Sequence, residues 1–138
     1  MARLPTDRYL LQCIFDVYAA DFPGPKDAGG TGLNDPFVPI DIHAIAKRVD
    51  MSPELVFGRL YFHLDHKYRY KHESGAITSL FQLQVGDKRH AVQFPYLASI
   101  LAEKNQEFRR FAFSLGLSAV ALGVSISSLI VSLAKAAQ

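Results

Sequence analysis

Residues 111–134 read FAFSLGLSAVALGVSISSLIVSLA, and the rest of the chain is interpreted around them. The stretch holds no Pro, Asp, Glu, Asn, Gln, Lys, Arg or His. As a helix rising 1.5 Å per residue it measures about 36 Å, enough to cross a hydrocarbon core of roughly 30 Å with some tilt. The remainder of a 138-residue chain is too small to surround a helix of that length, which argues against a buried core helix. Its position far from the N-terminus excludes a signal peptide.

Outward from the span, Arg109 and Arg110 abut its start, and only Lys135 follows it. All 13 acidic residues and 14 of the 15 basic ones lie within residues 1–110. The excess of basic residues on one flank predicts that the large N-terminal part stays in the cytoplasm. With four residues after Ala134, the span reads as a tail anchor. The single Cys13 excludes a disulfide scaffold and fits a reducing compartment.

Within the span, Ser114, Ser118, Ala121, Ser125, Ser128 and Ser132 recur at spacings of 4, 3, 4, 3 and 4, a heptad seam of small side chains. Ala119, Gly123 and Ser127 repeat at four-residue spacing, as do Ala112 and Gly116. Small residues let helix backbones approach closely in lipid, so self-association or pairing with a partner transmembrane helix is expected. Two other readings of the serines are hydroxyls bonded to their own i−4 carbonyls and the lining of a pore in a parallel bundle.

Upstream, Thr6 or Asp7 caps a first helix carrying Tyr9, Leu10, Ile14, Val17 and Tyr18. Residues 23–39 are rich in Pro and Gly and read as a loop, with a short edge strand at residues 37–40 limited by Pro39. Asp41 caps a second helix with Ile42, Ile45, Ala46 and Val49 on one face. After the turn Asp50-Met51-Ser52, Ser52 and Pro53 start a third, with Leu55, Val56, Leu60 and Leu64 apolar. Residues 77–85 and 89–94 alternate as strands around a tight Gly86-Asp87 turn. From Tyr96 the chain is helical again, with Leu97, Ile100, Leu101 and Phe108 apolar.

Helix, short strand, helix, turn, helix and hairpin, in that order, with Ile45-Ala46-Lys47-Arg48-Val49-Asp50-Met51-Ser52-Pro53-Glu54-Leu55-Val56-Phe57-Gly58-Arg59-Leu60 at the centre, resembles the winged helix-turn-helix family over residues 9–94. Ala46 is small where the two helices would cross, Val49, Met51, Val56 and Leu60 fill the apolar positions, and Asp50 stands where the family commonly has a turn glycine. The resemblance implies an α+β fold: a small winged-helix domain of three helices and a β-hairpin wing, followed by a long C-terminal helix that becomes a single transmembrane span. The expected organisation is a cytoplasmic domain over residues 1–95, a juxtamembrane helix over 96–110, the span over 111–134 and a short tail over 135–138.

In DNA-binding members of that family the exposed face of the second motif helix enters the major groove. Here that face carries Ser52, Pro53, Glu54, Phe57 and Gly58, without the Arg, Lys, Asn or Gln forks that read base edges. Residues 1–65 have 6 basic and 9 acidic groups, net −3, and residues 66–110 have 8 and 4, net +4. The nearly neutral balance gives little general attraction for a polyanion. Lys67, Arg69, Lys71, Lys88 and Arg89 remain candidates for contact with nucleic-acid phosphates or anionic lipid. Tyr68 and Tyr70, interleaved with the first three, are candidates for base stacking or for simple packing.

No catalytic, cofactor or metal site assembles from the sequence. His63 and His66 stand at i and i+3, with Asp65 between and His72 near, but no third-ligand motif accompanies them. Gly29-Gly30-Thr31-Gly32 lacks the Lys-Ser/Thr of a phosphate loop, and Cys13 reads as a structural thiol. The leading expectation is a non-enzymatic adaptor that docks a protein partner at the membrane and self-associates through its span. The alternatives are a membrane-tethered DNA-binding regulator and an oligomeric membrane-perturbing effector.

Overall fold

A computed structural model describes residues 4–22 and 36–138 of the chain. The loop expected over residues 23–39 therefore lies outside the described residues up to 35, the Gly29–Gly32 run included. The architecture is mixed α/β, and the chain divides into two compact units, Met1–Ala102 and Glu103–Gln138.

The first unit begins with α1, Asp7–Tyr18, whose N-cap is Thr6: its hydroxyl accepts from the Tyr9 amide. The buried stripe is Leu10, Leu11 and Ile14. Leu10 and Ile14 are buried and Val17 and Tyr18 pack against the core as expected, whereas Tyr9 points outward at the edge of that stripe, a correction to its expected apolar role. A short 3₁₀ turn, Ala19–Asp21, follows. Strand β1, Phe37–Pro39, leads to α2, Ile42–Arg48. The Asp41 carboxylate accepts from the His43 and Ala44 amides, and Ile42, Ile45, Ala46 and Val49 are buried as their spacing predicts.

Helix α3, Pro53–Gly58, starts on a Ser52 cap with Pro53 in its first turn. The chain then widens into a π-helical stretch, Arg59–Leu64, and closes as α4, Asp65–Tyr68. Val56, Leu60 and Leu64 are buried, whereas Leu55, expected among them, is 55% exposed. Within the π-helical stretch, Arg59 bonds the Pro5 carbonyl and the Asp7 carboxylate, and the Tyr61 hydroxyl donates to the Gln82 carbonyl at 2.9 Å. The third helix is thus stitched to α1 on one side and to the sheet on the other.

The strand expected over residues 77–85 is two strands. β2, Tyr70–Lys71, pairs antiparallel with β3, Ile77–Thr78, while β4, Phe81–Val85, pairs with β5, Lys88–Gln93. At the break the buried Asp65 carboxylate takes the Leu80 and Phe81 amides at 2.7 and 3.1 Å, while Phe81 still pairs with Val92 in the β4–β5 ladder. β4 and β5 join through Gly86-Asp87, with Gly86 at φ +60. β1 pairs antiparallel with β5, giving a sheet of order β1-β5-β4. Phe94, expected to end the last strand, instead opens α5, Phe94–Ala136. In the first unit, Phe94, Leu97, Ile100 and Leu101 pack with the other helices and the sheet around one core.

The second unit, Glu103–Gln138, is the continuation of α5. Its side chains from Phe111 to Leu133 are solvent-facing throughout, and Phe108, expected on an apolar packing face, is exposed as well. The most apolar window of α5 has a mean hydropathy of 2.1 and none of it is buried. Among the described residues it is the one helix long and apolar enough to cross a membrane.

Candidate docking groove and small-residue helix face

Three elements of the first unit converge on a surface groove of about 490 Å³. The starts of α2 and α3 form two sides and β5 forms the third. Ile40 and Ile42, both nearly fully buried, and the Phe57 ring make its apolar floor. Asp41 and Glu54 line it from the helix starts, and Arg89 and His90 line it from β5.

The β5 wall has an unusual backbone. His90 sits at φ +51 inside a strand, in the left-handed region that a side chain with a Cβ adopts at a cost. Its carbonyl still accepts from the Ile40 amide at 3.0 Å, so pairing to the end of β1 survives. The imidazole contacts Phe57 and Tyr61 edge-on, both at 6.0 Å between ring centroids, and Nδ1 lies 3.3 Å from the Tyr61 hydroxyl. Burial, with the negative Asp65 as a second cause, pushes the Tyr61 phenol up to about 12. It is a fixed hydrogen-bonding group at neutral pH. Nothing in the sequence pattern marks His90 or Tyr61, because strand alternation does not report a positive φ.

Of the motif-helix residues, Ser52 is the cap of α3, Glu54 is exposed and lines the groove, Phe57 is half-buried, and Gly58 ends α3 with its Cα facing the Phe62 ring. Phe57 stacks on Tyr61 at 4.6 Å and meets Phe62 edge-on. Phe62, which the sequence reading passed over, is 77% exposed.

The five basic candidates have different surroundings. Lys88 donates to the Phe37 carbonyl at 2.8 Å, so its ammonium is tied to β1. Arg69 is bound to the buried Asp65 carboxylate, with Nε 3.0 Å from Oδ2. Lys67 lies 5.4 Å over the Tyr68 ring, Lys71 sits exposed in β2, and Arg89 is on the groove wall. Tyr70 packs edge-on against Tyr96, and the Tyr96 hydroxyl donates to the Tyr68 carbonyl at 2.6 Å.

The candidate metal residues are dispersed into other roles: His63 faces Asp7 at 3.5 Å, Asp65 holds β4, and His72 bonds Thr78 at 2.7 Å. Cys13 is half-buried, and burial pushes its thiol up, against the opposing charge of Arg48. A protonated thiol is a poor nucleophile.

In the second unit, Arg109 and Arg110 are exposed on α5 just before the uncharged stretch. Ser118, Ser125 and Ser127 donate their hydroxyls to the carbonyls of Ser114, Ala121 and Gly123, at 2.9–3.0 Å. These three polar groups are therefore satisfied within their own helix. Gly123, Ser127, Ser128 and Ser132 line one shallow groove along the helix, and Gly116 and Gly123 have open space where a Cβ would stand. Ser114, Ala119 and Ala121 are exposed on the same helix. Compared with known proteins, the chain matches no family model, no curated protein and no solved structure.

Proposed function

We propose that this chain is a membrane-anchored docking protein. Residues 111–134 of α5 cross the bilayer, the first unit is a winged-helix domain on the cytoplasmic side, and that domain holds a protein partner at the membrane. The observation that carries the reading is the chemistry of the exposed side of α3 and its π-helical continuation. Glu54, Leu55 and Phe62 stand out to solvent there, and no Arg, Lys, Asn or Gln points from α3 itself. Exposed aromatic and aliphatic groups rimmed by a few charges suit a protein surface, whereas base readout needs hydrogen-bonding forks.

Support for the winged-helix reading comes from the helix pair α2–α3 around the Asp50 turn, and from the three-stranded order β1-β5-β4 in which β4 and β5 form the hairpin. Support for the span comes from the exposed, uncharged length of α5, and Arg109 and Arg110 favour a cytoplasmic first unit. The small-residue face favours self-association of the span.

The experiment is photo-crosslinking in cells that naturally carry the chain, from a probe at Phe62 and a control probe at Lys71. A discrete protein adduct from position 62, lost with Leu55→Asp, is the expected result. Micromolar, steeply salt-dependent binding of the full chain to mixed duplex DNA, abolished by Lys88→Glu with Arg89→Glu, would overturn docking in favour of a tethered DNA-binding regulator.

A further inference from the structure

We infer that the groove between α2, α3 and β5 binds a free α-amino acid with an apolar side chain. Its carboxylate would meet Arg89 and its ammonium Glu54.

Glu54 on α3 and Arg89 on β5 line the same groove, yet neither side chain has a hydrogen bond or ion pair among the described residues, with each other included. Asp41, the other acid of the groove, already caps α2 with its carboxylate, which leaves Glu54 as the unengaged one. An acid on α3 and a guanidinium-bearing residue on β5 that line one groove complement a ligand that carries both charges. A ligand with one charge leaves the other group uncompensated. Arg is well suited to the carboxylate end, because its planar fork matches two oxygens.

Ile40, Ile42 and Phe57 give the same groove an apolar lining, so the side chain expected there is aliphatic or aromatic. The volume of about 490 Å³ lies within the span of small-molecule clefts, roughly 300–1,000 Å³. The wall is also pre-shaped. The left-handed backbone of His90 is held by its contacts with Phe57 and Tyr61, and strain of this kind concentrates where a site is organised in advance.

Glu54 belongs both to this groove and to the face proposed for docking, and Phe57 of the groove meets Phe62 of that face edge-on, so occupancy would regulate that face. The ligand inference does not rest on the docking reading, because binding is measured with no partner present.

The test is calorimetric titration of the full chain in detergent micelles with L-leucine, leucinamide, 4-methylpentanoate and glycine. Leucinamide lacks the carboxylate, 4-methylpentanoate lacks the ammonium and glycine lacks the side chain. L-leucine is expected to bind saturably and at least about tenfold more tightly than the other three. Arg89→Gln should reduce L-leucine to the level of leucinamide, and Glu54→Gln should reduce it to the level of 4-methylpentanoate. Absence of saturable binding up to about 10 mM, equal binding of all four probes, or full L-leucine affinity in both variants would overturn the inference. Loss of the position-62 crosslink with leucine binding intact would instead count against docking alone.

Discussion

Asp50 occupies the turn between α2 and α3 at φ +53, where the resembled family commonly has glycine. Asp tolerates the left-handed region better than most residues but still carries a Cβ penalty there. It is exposed, so removing its side chain uncovers no core. Asp50→Gly is expected to stabilise the first unit by about 0.5–1 kcal/mol, read as a rise in the midpoint of thermal unfolding. Asp7 is the other informative single residue. Burial alone would raise its carboxyl, but the hydrogen bond and charge of Arg59, helped by His63, outweigh this and hold it below the usual carboxylate range. A depressed folded-state value means that the ion pair contributes its stability above the unfolded value, near pH 4. That contribution is lost as pH falls through the folded value. Asp7→Asn should therefore destabilise the chain by about 1 kcal/mol at pH 7. Denaturant titrations should show the gap between the two proteins narrowing as pH drops below about 4.

Among elements, the connection from α4 to β4 depends on one carboxylate. Asp65 is 1% exposed and accepts from the amides of Leu80 and Phe81, both buried, as well as from Arg69. Asp65→Ala leaves two buried donors without an acceptor and should cost about 3 kcal/mol or more. Asp65→Asn keeps one acceptor oxygen and should cost less, so the ordering of the two variants in chemical denaturation checks the account. Local codes announced most element starts: Asp41 and Ser52 each cap the helix that their position predicted, and Thr6, one of two candidates with Asp7, caps the first. The codes failed where a distant group intervened. At the split between β3 and β4 the Leu80 amide goes to Asp65, and no local pattern in residues 77–85 reports a carboxylate that lies fifteen residues earlier.

For the whole molecule, the partition of charge and apolarity is the dominant fact. Every buried core residue lies in Met1–Ala102, while the large apolar side chains from Phe111 to Leu133 are exposed. Self-association of the span is the prediction proper to this scale. Apart from its chain neighbours and the adjacent helix backbone, a Cβ at Gly123 meets nothing within 4 Å, so a larger residue there is accommodated by the isolated helix. Gly123→Ile is expected to weaken association by about 1 kcal/mol or more in a membrane reporter assay, since the approach of backbones is what the small face allows. An unchanged oligomer distribution would place the contact on another face. The same mutation should leave the unfolding midpoint of the first unit where it is.

The long uncharged apolar stretch of α5, the capped helices, the Gly86-Asp87 hairpin and the lack of base-reading side chains on α3 were legible from the residues alone. These are properties of composition, of periodicities of 3.6 and 2, and of cap and turn chemistry, all of which act over a few neighbours. The groove was not legible. It needs Ile42, Glu54 and Arg89 brought together from three elements, His90 turned into the left-handed region, and Tyr61 placed by a π-helical stretch. The roles of Lys88 and Arg69, both engaged by distant backbone or buried carboxylate, were equally hidden. Proximity between residues far apart in the chain is set by packing of the whole core, and that is the information a linear pattern does not carry.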